Sequence, residues 1–191
     1  MRLFFVIDTS GSMAGAKIGA LNDAMINILS ELQYEGVPME VSVLLYSKTV
    51  RWMYERPIDI SEFEWKNVEA NGMTAMGKAC IALAKRFTED EASNDVSIII
   101  IISDGYPTDD FDEGINALNE TPSFLSSNRF AIAVDDADEV ALQRFTGNSD
   151  RVFKLKDINN LTGDIFNIIS DTIPKQRHTV SREKESDDEW D

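Results

Sequence analysis

Five consecutive isoleucines at positions 98–102 constrain this chain more than any other feature of its sequence. A run of β-branched side chains suits a pleated strand and loses rotamer freedom in a helix. No polar residue alternates within it, so a strand built from it must be covered on both faces. That is the position of a central strand in a parallel sheet with helices above and below. Residues 3–7, 41–46 and 130–134 are also β-branched or aromatic and flanked by polar residues, and they predict further strands. Residues 49–54 follow the second of these after Ser47-Lys48, which predicts a hairpin and one antiparallel strand at the sheet edge. Residues 151–155 predict a last strand. Between the strands, Ile18, Leu21, Met25, Ile28, Leu29 and Leu32 form one apolar stripe, predicting a helix over about 16–34 that Gly36 and Pro38 stop. Residues 75–87, 112–119, 139–145 and 157–173 predict further helices. The expected fold is therefore an α/β three-layer sandwich over residues 1–173, with a mainly parallel sheet. Pro174 ends it, and a charge-rich tail over 174–191 is expected to be flexible on its own.

Charge and cysteine count exclude several classes of function. The net charge is −16 and no basic cluster occurs, which argues against nucleic acid and anionic membrane surfaces as partners. The acidic excess serves solubility, or else favours cations and basic partner surfaces. Cys80 and His178 are the sole residues of their types, so an intramolecular disulfide and a His/Cys zinc site are both excluded. The opening apolar stretch is too short for a secretory signal, and the isoleucine run falls far below the ~20 residues of a membrane span. A cytoplasmic, reducing location is the expectation.

The chemistry is concentrated where strands end. Asp8-Thr9-Ser10-Gly11-Ser12-Met13 follows the first predicted strand directly. Ligands of doubly wound sheets bind at that edge, and one carboxylate with two hydroxyls at alternate positions can face a common point. The isoleucine strand leads into Ser103-Asp104-Gly105-Tyr106-Pro107-Thr108-Asp109-Asp110, bringing a second carboxylate to the same edge. Asn71-Gly72-Met73-Thr74 precedes a predicted helix and can bring in a third hydroxyl. These are hard oxygen donors, suited to one divalent cation: Mg²⁺ first, with Mn²⁺ or Ca²⁺ as alternatives. The same residue types are also routine helix caps and turn formers.

Asp8-x-Ser10-x-Ser12, Thr74 after a glycine-bearing loop and Asp104-Gly105 after a strand together resemble the metal-ion-dependent adhesion site (MIDAS) of von Willebrand factor A domains. Order, spacing and strand context agree over roughly residues 3–173. The extended motifs look like the bacterial, intracellular branch associated with tellurium resistance, the TerY-like proteins. The resemblance implies a Rossmann-like fold and a metal held by Asp8, Ser10, Ser12, Thr74 and Asp104, some of them through water. It also implies a protein partner that supplies an acidic residue to the open coordination position. In some members the last helix moves with ligation, and residues 157–173 hold that place here. A stress-response or tellurite-resistance-type complex is the context this branch implies.

Other residues admit two readings. Asp109, Asp110, Asp112 and Glu113 suit a helix N-terminus, where the macrodipole favours acid, or else they raise cation affinity. Met13 reads as packing beneath the loops, whereas Met73, Met76 and Tyr106 are candidates for an apolar collar around the ion. Cys80 reads as a small buried hydrophobe. His178 has no evident partner, and Trp190 in the acidic tail is a candidate docking residue. A rival class is Mg²⁺-dependent phosphoryl transfer on Asp8. Haloacid-dehalogenase-type enzymes place a second carboxylate two residues on, where this chain has Ser10, and no catalytic lysine paired with the site is evident. No Gly-x-x-x-x-Gly-Lys loop occurs either.

Overall fold

The computed structural model describes residues 1–89, 95–155 and 157–172. The chain runs through β1 (Arg2–Asp8), α1 (Ala16–Glu35), β2 (Glu40–Tyr46), β3 (Val50–Trp52), β4 (Ile58–Asp59), α2 (Met76–Glu89), β5 (Ser97–Ser103), α3 (Phe111–Asn119), α4 (Pro122–Leu125), β6 (Asn128–Val134), α5 (Glu139–Thr146), β7 (Val152–Leu155) and α6 (Leu161–Thr172). The strands form one sheet in the order β3-β2-β1-β5-β6-β7, with β4 also paired to β2. β1, β2, β5, β6 and β7 are parallel, while β3 and β4 run antiparallel to β2. This is the Rossmann-like three-layer arrangement, with the expected antiparallel edge.

The isoleucine run divides between the two layers. Ile98, Ile100 and Ile102 pack with Leu21, Met25 and Ile28 of α1 and with Ile165 and Ile169 of α6. Ile99 and Ile101 point the other way, into a second core with Leu83 and Phe87 of α2, Leu118 of α3 and Phe145 of α5. All five are fully buried, and every residue of β1 and β5 is buried with them. Strand alternation thus feeds two cores from one apolar sequence. At ~25 cal/mol per Å² of apolar surface, each such side chain contributes roughly 1.5–3 kcal/mol.

The differences from expectation are local. β4, two residues long, and α4, four residues long, were not expected, since neither is long enough to show a period. The last predicted helix is divided. A turn of 3-10 helix over Ile158–Asn160 precedes α6, and Asp157 accepts the Asn159 backbone N–H at 3.0 Å at its start. The tail over 174–191, with His178 and Trp190, lies outside the described residues. Among the described residues, no helix is long and apolar enough to cross a membrane.

α2 and α3 meet at glycines. A Cβ at Gly77 would collide with the Asp110 carbonyl, so the two helices hold this spacing only with glycine there. Gly77→Ala is expected to cost about 1–3 kcal/mol through overpacking. Gly19→Ala, on α1 where nothing lies within 4 Å, is the control and is expected to stabilise by about 0.5–1 kcal/mol. Urea midpoints of the two variants check the contrast.

Candidate functional site

β1 and β5 lie side by side in parallel, with Ile7 opposite Ile102, so their next residues emerge at the same edge. Asp8 closes β1 and is completely buried. Its Oδ1 accepts the Ser10 backbone N–H at 2.8 Å, and its Oδ2 accepts the Ser103 hydroxyl at 2.7 Å. Burial pushes the Asp8 carboxyl up from the ordinary aspartate value, against the hydrogen bonds from Ser10 and Ser103 that favour its ionised form. The nearby Asp104 charge adds to the rise. Below lies Tyr46, opposite Asp8 in β2, wholly buried and without a well-formed hydrogen bond on its hydroxyl among the described residues. Burial, reinforced by the Asp8 charge, raises its ionisation far above the normal tyrosine range. It is a neutral floor to the site.

The remaining donors gather above. Ser10 Oγ and Ser12 Oγ stand 3.0 Å apart, and the Ser12 hydroxyl donates to Asp104 Oδ1 at 2.6 Å. Asp104 Oδ2 accepts from the Lys17 ammonium at 2.6 Å. Thr74 is buried just before α2. A Cβ at position 105 would stand 3.3 Å from Thr74 Oγ1 and 3.6 Å from Ser12 Oγ, so Gly105 leaves open the space that these two hydroxyls border. Asp8, Ser10, Ser12, Thr74 and Asp104 therefore border one region at the end of the sheet. Among the described residues, no group of three or more His, Cys, Asp and Glu side chains forms a metal cluster. The donor set is two carboxylates and three hydroxyls, a chemistry that suits a hard divalent ion.

Backbone hydrogen bonds hold the loops. Gly11 N–H donates to the Gly72 carbonyl and Asn71 N–H to the Thr9 carbonyl, each at 2.9 Å. Thr108 N–H donates to the Thr74 carbonyl at 2.9 Å, while Thr74 N–H donates to Thr108 Oγ1 at 3.1 Å. Asp109 caps α2, accepting the Gly77 and Lys78 N–H groups at 2.9 and 2.8 Å. Asp110 caps α3 through Glu113 N–H, and Asp112 pairs with Arg144 at 2.7 Å. The acidic loop is thus largely engaged in capping and a surface ion pair.

Some expectations need correction. Met76 is fully buried and cannot join a collar, whereas Met73 and Tyr106 are 54% and 64% exposed beside Thr74 and Gly105. Met13 and Cys80 are buried, as expected, and burial raises the Cys80 thiol far out of the reactive range. A lysine that the sequence did not single out pairs with the site: Lys17 reaches it from the first turn of α1 and also contacts Asp135 Oδ2 at 2.8 Å. Ser103, Lys17 and Asp135 were not singled out in the sequence. Ser103 lies within the recognised motif and was legible as a strand-end hydroxyl; the other two carried no signal.

The von Willebrand factor type A domain profile matches residues 3–168, and the chain belongs to that family. Domains of this family mediate protein–protein interaction, often through a metal-ion-dependent adhesion site. The ArnB paralog VWA2 from Sulfolobus acidocaldarius superposes with a TM-score of 0.66 at 20% identity, over 85% of this chain and 43% of that one. The pilus adhesin SpaC from Lactobacillus rhamnosus GG gives 0.75 at 13% identity, over 90% and 30%. Proximal thread matrix protein 1 from the mussel byssus, with a zinc-occupied MIDAS motif, gives 0.64 at 13% identity, over 88% and 45%. At these identities the likeness is one of fold, and this chain spans less than half the length of each.

The raised Asp8 carboxyl has a sign that can be tested. Its folded-state value lies above the unfolded 3.8, so folded protein holds the proton more tightly and the charge is destabilising at neutral pH. That penalty fades as pH falls through the folded value and is gone below the unfolded one. In chelator at pH 7, Asp8→Asn is expected to melt above the native protein. The difference is expected to shrink on acidification, as thermal melts between pH 7 and 4 will check.

Proposed function

We propose that this chain is a divalent-metal-dependent protein–protein interaction module, with Asp8, Ser10, Ser12, Thr74 and Asp104 holding one cation, Mg²⁺ before Mn²⁺ or Ca²⁺. The observation that carries this reading is the pair of buried carboxylates, Asp8 and Asp104, at one sheet edge, with the Ser12 and Thr74 hydroxyls bordering the space that Gly105 leaves open and Ser10 Oγ 3.0 Å from Ser12 Oγ. Such an ion supplies positive charge to two carboxylates shielded from solvent, and it offers a coordination position to an acidic side chain of a partner. Met73 and Tyr106 stand exposed on the rim and provide the apolar contact an interface core needs. The motif likeness to the tellurium-resistance branch supports a cytoplasmic stress-response complex as the setting.

The first experiment is calorimetric titration of Mg²⁺, Mn²⁺ and Ca²⁺ into chelator-stripped protein, with Asp8→Ala and Asp104→Ala beside it. One saturable site, lost in both variants, is expected; binding unchanged in either variant would remove that residue from the set. Co-purification with and without chelator then separates an interaction site from a purely structural ion, which would stabilise the fold without affecting capture. Met73→Ala with Tyr106→Ala is expected to weaken partner capture by at least about tenfold while leaving metal affinity unchanged. Equal capture would dismiss the apolar rim.

Lys17 beside Asp104 favours a second reading, phosphoryl transfer on Asp8. Against it, both Asp8 oxygens already accept hydrogen bonds and Ser10 stands where a second carboxylate is needed. Mg²⁺-dependent turnover of an aryl phosphate, lost in Asp8→Ala, would establish it.

A further inference from the structure

Lys17 sits in a place that its own helix disfavours. It is the second residue of α1, a helix with no acidic residue in its first turn. Positive charge at a helix N-terminus opposes the macrodipole. The ammonium is held instead by two carboxylates from the ends of neighbouring strands: Asp104, after β5, and Asp135, after β6. The two acceptors differ. The Asp104 side chain is wholly shielded from solvent, while that of Asp135 is 52% exposed. Asp135 is also the single non-glycine residue with positive φ among the described residues, at 49°. Aspartate tolerates that backbone better than most residues, and here it accompanies a carboxylate directed at Lys17.

We infer that Lys17 is a built-in cation that occupies Asp104 in the metal-free protein and moves onto Asp135 alone when a divalent ion binds. The inference rests on the metal reading of Asp8 and Asp104. Two carboxylates balance one divalent ion, so an ammonium still in contact with Asp104 would be a like charge at short range. Asp135 keeps hold of the lysine within reach, in water, where its charge is screened. Lys17 thereby neutralises part of the buried acid before metal arrives, and it lowers metal affinity because it must give up a hydrogen bond. Asp135 restores part of that affinity by receiving it.

Mn²⁺ titration of the chelator-stripped chain tests this with K17M, K17R, D135N and the K17M/D135N pair, each first checked for native circular dichroism. K17M is expected to bind Mn²⁺ about tenfold more tightly, and K17R to stay within about twofold of the native protein. D135N is expected to weaken binding about tenfold when Lys17 is present, and by less than about twofold in the K17M background. In chelator K17M is expected to melt lower than the native protein, and with saturating Mn²⁺ the gap should close. An unchanged or weaker affinity in K17M, or an equal D135N effect in both backgrounds, overturns the displacement while leaving the metal site standing. Absence of Mn²⁺ binding in both the native protein and K17M overturns the metal reading as well.

Discussion

The parallel pairing of β1 with β5 is the constraint to which the rest of the site responds. Both strands are buried along their whole length, and in-register pairing brings Asp8 and Asp104 out at one edge. Two carboxylates drawn out of water beside each other are costly, by desolvation and by mutual repulsion. The surroundings read as successive compensations. Ser103 and the Ser10 backbone meet Asp8, while Ser12 and Lys17 meet Asp104.

The same edge joins three segments distant in sequence into one hydrogen-bonded surface. The loop after β1, the loop before α2 and the loop after β5 exchange backbone hydrogen bonds, and Asp109 carries the last of them into the cap of α2. An unpaired polar backbone group costs most where it is buried, and these bonds pair the carbonyls of buried Thr9 and Thr74 with N–H groups of exposed Asn71 and Thr108. Gly105 then keeps the side-chain space above that backbone clear.

Much of this was legible in the sequence because it follows from local pattern. An unbroken isoleucine run admits few placements, and the two-core division of Ile98 to Ile102 is simple alternation. The three motif pieces were legible because each abuts a predicted strand or helix end. What escaped depends on strand order. Asp135 matters because β6 is the neighbour of β5, an adjacency that no local pattern encodes. Lys17 looks like any lysine on an amphipathic helix until its reach toward Asp104 is known. Met76 was misplaced for a different reason: it is the first residue of α2 and faces the core, three positions after the exposed Met73 in the loop before the helix. Asp109 looked like part of a cap for the helix that follows it and instead caps the helix before it.

The backbone stitching of the loops divides labour in a way that bears on how such a surface can diversify. The hydrogen bonds from Gly11 to Gly72 and from Asn71 to Thr9 engage main-chain atoms only, so they do not depend on which side chains stand at the rim. Met73 and Tyr106 take no part in that lattice or in either core. The frame is therefore indifferent to what it displays. A change of partner could be accommodated at those two positions while the sheet, the caps and the charged centre keep their geometry. The proposed rim at Met73 and Tyr106 is thus separate from the backbone frame that carries it.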